Sequence, residues 1–322
     1  MVQFDLFGEV EQKLETRAEK RKEEATKPRP APRRRKYAAP RDPHQHAHKI
    51  AENVMDAWYS HYGGSRMDVP LGTVAALTFL REPLAGDWLL TLQPADFLPL
   101  LREIWGVQWY HRPDLIECAR PLHDWIEEDP HDQQLHAVQA VVHAAVYTGL
   151  LDLTGHDDPY MRTGADILSP LLTGLRHKSD KKWRGEYHTP PCVSDLMANI
   201  LLDADHRLTI REPAIGSGGM FRSVAHLLHE RNLNPHDYTW IGNDIDRLSA
   251  ACAAVNSIYW DLGPQVAIWC GNTFEENGLN KALAERTAVI KHRNTVVENA
   301  RFEHRTRRLI HAFDQLLKRA AA

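Results

Sequence analysis

After residue 205 the sequence alternates short β-prone runs with helical stripes, and few topologies accommodate that alternation. Arg207-Leu-Thr-Ile-Arg211, Tyr238-Thr-Trp-Ile-Gly242 and Gln265-Val-Ala-Ile-Trp-Cys270 are the β-prone runs. Between them lie apolar residues at helical spacing, Phe221, Val224, Leu227 and Leu228 in one stretch, then Leu248, Cys252, Val255, Ile258 and Tyr259. Strand, helix, strand at these lengths predicts right-handed βαβ units and a parallel sheet. Such sheets bind ligands at the carboxyl ends of their strands, so the residues closing each run are the first candidates for a site.

Upstream the period is helical. Ile50, Val54, Ala57 and Trp58 form a stripe, as do Phe97, Leu98, Leu101, Ile104 and Trp105, and later Val138, Val142 and Ala145, then Leu168, Leu171, Leu172 and Leu175. Each predicts a helix with one buried face. Pro94, Pro113, Pro130 and Pro159 mark boundaries. The tryptophans here are expected in the core. Lys27 to Pro43 holds five prolines, which disfavour helix and sheet and predict an extended linker. The expected organisation is a flexible basic arm over 1–43, an all-α domain over 44–180 and an α/β domain with a basic helical tail over 181–322.

The formal net charge is −4, which on average discourages a nucleic-acid partner. The average hides two basic ends. Residues 17–41 carry eleven Lys or Arg against three Glu, net +8, and residues 281–322 carry ten against four acids, net +6. Basic arms of this kind suit a phosphate backbone, so DNA is an expected partner. No apolar run reaches the length of a membrane span. The N-terminus does not read as a signal peptide, and four cysteines without a Cys-x-x-Cys pair suit a reducing cytoplasm. His44, His46 and His48 cluster without completing a metal set; they are expected to be solvated, and no metal is expected.

The chemistry concentrates in Glu212-Pro-Ala-Ile-Gly-Ser-Gly-Gly219, between the first run and the next helix. Glycines there permit positive φ and close approach of a ligand, and the helix N-terminus offers free N–H groups to an anion. Glu212 can accept from a ligand ammonium or amide. The second run closes on Gly242-Asn-Asp-Ile-Asp246. Asp244 suits a ribose diol, whereas Asp246 suits the N-cap of the following helix. The third closes on Cys270-Gly-Asn-Thr273, where Asn272 can read an adenine edge. A glycine loop, an acid and an amide on adjacent strand ends suggest an adenosine-containing ligand.

Those residues carry a resemblance. Glu212 to Gly219 resembles the Asp-Pro-Ala-Cys-Gly-Ser-Gly-Gly motif of N6-adenine DNA methyltransferases, above all the modification subunits of type I restriction systems. Arg184-Gly-Glu-Tyr-His-Thr-Pro190-Pro-Cys-Val-Ser-Asp-Leu-Met197 is similar to their Gly-Glu-Phe-Tyr-Thr-Pro-x-x-Val-x-x-Leu-Met motif. Asn243-Asp-Ile-Asp246 followed by Ala254-Val-Asn256, and Gly271-Asn-Thr273, resemble their later motifs in order and spacing. The resemblance implies a Rossmann-like fold that binds S-adenosylmethionine through Tyr187, Thr189, Glu212, Ala214, Gly216, Gly218, Asp244 and Asn272, and transfer of its methyl group to N6 of adenine. The family also carries Asn/Asp-Pro-Pro-Tyr/Phe on the next strand, to hold an extruded base. Residues 274–322 contain no such motif, so the sheet is expected to be incomplete and the catalytic residues stay unassigned. Asp157-Asp-Pro-Tyr160 is reminiscent but precedes the cofactor motifs. A DNA methyltransferase that draws its missing part from a second subunit, and a catalytically inactive, cofactor-binding accessory protein, are both compatible with this pattern.

A short signal at the start, Gln3-Phe-Asp-Leu6-Phe7, resembles the peptide that docks bacterial sliding clamps. Leu6 and Phe7 would fill an apolar pocket and Gln3 would fix the register.

Overall fold

The structure is a computed structural model that describes residues 41–63, 65–81, 85–176, 189–204 and 209–320. The described residues all fall in one compact unit. Tyr187 and the clamp-like residues Gln3, Leu6 and Phe7 lie outside the described residues, as does the linker up to residue 40.

The chain enters through α1 (Pro43–His61), whose start is fixed twice. Pro43 pre-sets the backbone, and the Asp42 carboxylate accepts the His44 N–H at 2.9 Å. Its predicted stripe of Ile50, Val54 and Trp58 is buried. Then follow α2 (Asp68–Leu77), buried from Val69 onward, short α3 (Ala85–Leu89), α4 (Pro94–His111) and α5 (Pro113–Cys118). Pro94 and Pro113 sit in the first turns of α4 and α5, where a missing N–H costs nothing. Next come α6 (Asp132–Tyr147), which packs along α1, then α7 (Leu150–Thr154), α8 (Pro159–Arg162) and α9 (Leu168–Leu175).

Two expectations for this part fail. His46 is not solvated: it is buried, with Nε2 2.6 Å from the Thr148 carbonyl oxygen, so it joins α1 to the end of α6. Trp88 is exposed, whereas Trp58, Trp105 and Trp125 lie in the core as expected.

The second part begins with α10 (Pro191–Ala204) and continues as β1 (Thr209–Glu212), α11 (Gly219–Glu230), β2 (Thr239–Asp244), α12 (Arg247–Tyr259), β3 (Val266–Cys270) and α13 (Gly278–Ala320). The three strands are parallel in the order β1-β2-β3. Ile210 pairs with Trp240 and Trp240 with Val266 across the ladder. Thus the fold is α/β with a small open parallel sheet behind a helical layer.

The layers share one apolar core, which runs from Ile50 and Trp58 to Phe221, Trp240 and Trp260. Phe221 of α11 meets Trp240 of β2 edge to face at 5.1 Å, a geometry that adds to area burial. α12 is buried along most of its length between the sheet and α5 and α9. The buried Asp114 carboxylate joins three elements: it accepts from Arg112 at 3.1 Å and from Arg286 of α13 at 3.0 Å, while Arg112 also donates to the Gly263 carbonyl at 2.8 Å. The described side chains of α13 are mostly exposed, and its 43 residues span about 64 Å at the helical rise.

Candidate functional site

Every strand ends at the same rim of the sheet, and the glycine loop connects β1 to α11 there. Gly216 and Gly218 have φ of +57° and +100°, a backbone region that strongly favours glycine. The two positions differ in what surrounds them. A Cβ on Gly218 would stand 3.0 Å from the Trp260 ring, whereas one on Gly216 would meet nothing within 4 Å. Gly218 is thus fixed by packing, and Gly216 faces open space.

The loop is tied to β2 by the predicted acid. Asp244 Oδ2 accepts the Gly216 N–H at 2.8 Å and Oδ1 accepts the Asp246 N–H at 2.9 Å. The Asp244 carbonyl accepts the Gly271 N–H at 2.8 Å, which draws in the end of β3. Glu212 Oε1 accepts the Ala214 N–H at 3.1 Å. Burial pushes the Glu212 carboxyl above the ordinary carboxylate range; the Ala214 N–H works against the rise and the Asp244 charge adds to it. Glu212, Ala214, Gly216, Gly218 and Asp244 are therefore gathered at one crevice. Asn272 stands exposed just past β3, where its Oδ1 accepts the Phe274 N–H at 3.0 Å. Thr189 is exposed at the start of α10.

Asp246 is an N-cap: Oδ1 accepts the Ser249 N–H at 2.8 Å and also pairs with Arg176. Burial opposes the Asp246 charge, but these partners outweigh it and hold the carboxyl below its usual value. Asp158 likewise caps α8 by accepting the Tyr160 N–H at 2.9 Å, and the Tyr160 ring stacks on His226 at 4.6 Å. The Asp157–Tyr160 run is thus engaged in local structure.

Several residues of the site were not singled out from the sequence. Asp166, just before α9, is buried and accepts from Ser217 Oγ at 2.6 Å and from Asn256 Nδ2 at 2.9 Å. Asn256 also donates to the Ser217 carbonyl at 2.8 Å. This buried network locks the glycine loop to α9 and α12. Asn243, also buried, donates to the Gly271 carbonyl at 3.2 Å. Two apolar side chains stand in solvent at the rim, Ile245 at 77% and Phe274 at 89% exposure. The signal for Ile245 was an apolar residue between two acids at a strand end; nothing local marked Asp166.

A cleft of about 370 Å³ lies beside β3, lined by residues that include Cys118, Arg120, Trp269, Cys270, Lys281 and Arg286. Among the described residues no cluster of His, Cys, Asp and Glu could hold a metal ion, and no helix is long and apolar enough to cross a membrane.

No curated protein sequence matches this chain. Among solved structures, the type I restriction-modification system methyltransferase subunit from Streptococcus thermophilus is similar at 14% identity, with a TM-score of 0.38. That similarity covers 73% of this chain and 60% of the other, so the chain spans less than two thirds of that subunit. The family described as N-6 DNA Methylase matches residues 167–315. That match takes in the sheet, with its glycine loop and three strand ends, so this part of the chain is similar to the N-6 DNA methylase family.

Proposed function

We propose that the crevice binds S-adenosylmethionine and that the chain serves adenine-N6 methylation of DNA. The observation that carries this reading is the Asp244 clamp on Gly216. It holds the glycine loop open against the β2 end, with free space over Gly216 where a side chain would stand. The residues present fit the cofactor. Glu212 is placed for an ammonium, the α11 N-terminus for a carboxylate and Asp244 for a ribose diol. Ile245 and Phe274 offer apolar surface to an adenine. Bound there, the cofactor would supply an electrophilic sulfonium methyl. The chain's own contribution is to orient that group for in-line attack, a matter of positioning rather than covalent catalysis. Tyr187 and Thr189 belong to this reading through the sequence resemblance alone.

A second reading has a specific observation behind it. Among the described residues no strand follows β3, and residues 274–322 lack the base-holding motif. In that reading the chain is an accessory protein that binds cofactor and DNA but does not methylate alone. Calorimetric titration with S-adenosylmethionine, paired with transfer of a labelled methyl group to DNA, tests both. Binding with transfer supports an autonomous enzyme, and binding without transfer supports the accessory role. Absence of binding ends the cofactor reading.

The basic ends are proposed DNA contacts, and residues 3–7 a sliding-clamp peptide. Deleting residues 1–8 is expected to abolish binding to a purified bacterial clamp in a surface-resonance assay; unchanged affinity rejects the peptide.

A further inference from the structure

Among the described residues the sheet stops at the strand that carries the glycine loop. Among the described residues β1 pairs with β2 alone, so one row of its N–H and C=O groups has no ladder partner. Parallel strands are normally covered on both faces. In β1, however, Thr209 and Arg211 are exposed, whereas Trp240 and Gly242 of β2 and Val266, Ala267 and Ile268 of β3 are buried. An open edge of this kind is a template for another strand.

The second surface is α10. It turns Ser194 and Ala198 inward and packs on α11, where Asp195 pairs with the buried Arg222. Its large apolar side chains point the other way. Leu196, Ile200 and Leu201 are 60%, 61% and 58% exposed, and Val193 and Met197 lie beside them. A helix that buries small residues and presents its large apolar ones to water reverses the usual amphipathic arrangement. Contiguous exposed surface of this sort marks an interaction site.

The two surfaces are close along the chain, and both elements pack on α11. Four residues join α10 to β1, a reach of at most about 18 Å. In a doubly wound sheet the second half begins beside the first strand, and the ligand crevice forms between the halves. α13 does not fill that place, because it packs against α5 and β3, the other edge strand. A second copy of the chain is a poorer fit. Pairing β1 with itself about a two-fold axis is antiparallel and sets the amino end of a strand beside the glycine loop, where the crevice requires a carboxyl end.

We infer that the free edge of β1 and the apolar face of α10 together bind one partner polypeptide. It adds a strand parallel to β1 and lays an apolar layer on α10, completing the cofactor crevice. This inference rests on the crevice being a cofactor site, and the two can fail separately.

The test places the photo-crosslinker p-benzoylphenylalanine at Thr209 or at Ile200 of the full chain in its native cells, and identifies the attached peptides by mass spectrometry. Both positions are expected to attach to one and the same polypeptide, distinct from this chain. That polypeptide, purified and added back, should slow amide exchange across residues 209–212 at least tenfold. Leu201→Asp should cut the cross-link from position 209 at least tenfold while the S-adenosylmethionine affinity of the isolated chain stays the same. Cross-links to a second copy, to residues 1–40 of the chain itself, to unrelated polypeptides from the two positions, or to nothing would overturn the inference. If the shared cross-link forms but the isolated chain and its complex both fail to bind S-adenosylmethionine, the docking surface stands and the cofactor reading falls.

Discussion

At the scale of single residues, open space and packed space around the glycine loop predict opposite phenotypes. Gly216→Val fills the open cradle and strains a positive φ. It is expected to weaken S-adenosylmethionine binding by more than about tenfold, from a strain of about 1–3 kcal/mol added to the steric block. Gly218→Ala drives a methyl against Trp260, so its cost of about 1–3 kcal/mol should appear chiefly in a urea unfolding midpoint. Glu212 gives a pH signature. Its raised value means that the folded chain keeps the proton over a window in which the unfolded chain has lost it. Stability is therefore lost as pH rises through that window. A ligand ammonium needs the ionised carboxylate, so cofactor affinity should increase over the same window. Calorimetry across pH is expected to show that rise for the native chain and a flat, weaker profile for Glu212→Gln. Glu212, Gly216, Gly218 and Asp244 could be read from their places at strand ends. Asp166 could not, since its meaning comes from Ser217 and Asn256, which are remote in sequence.

At the scale of elements, the buried polar contacts do the joining. Asp166→Ala removes the shared acceptor of Ser217 and Asn256 and leaves the buried Ser217 hydroxyl and one of the two Asn256 amide hydrogens without an acceptor. A loss of about 2–3 kcal/mol is expected in urea unfolding, with cofactor affinity reduced because the loop loses its anchor. Asp246→Ala removes both the α12 cap and a partner of Arg176. It should cost about 3 kcal/mol, the scale of breaking a buried pair, whereas Asp246→Asn keeps an N-cap and should cost less. The helix starts at Pro94, Pro113 and Pro159 were legible because proline in a first turn is a local rule, whereas Pro43, read as the end of the linker, opens α1 instead. The role of α10 was not. Only its packing on α11 shows that Ser194 and Ala198 face inward while Leu196 and Ile200 face outward.

At the scale of the whole molecule, charge is segregated and the sheet is open. If the basic ends carry DNA, affinity should fall steeply with salt, and removing residues 17–41 should lower it at least about tenfold while flattening the slope of log affinity against log salt. Fluorescence anisotropy over a salt series checks this; an unchanged slope removes the arm from the interface. The sequence by itself determined the alternation of strands and helices, the parallel sheet and the glycine turn, because periodicity and backbone restriction act over a few residues. Only the tertiary structure decided that Asp244 holds Gly216, that Asp166 and Asn256 lock the loop to the helices, and that β1 is an edge among the described residues. Those depend on contacts between residues far apart in the chain, and no local pattern encodes which side of a strand is left without a neighbour.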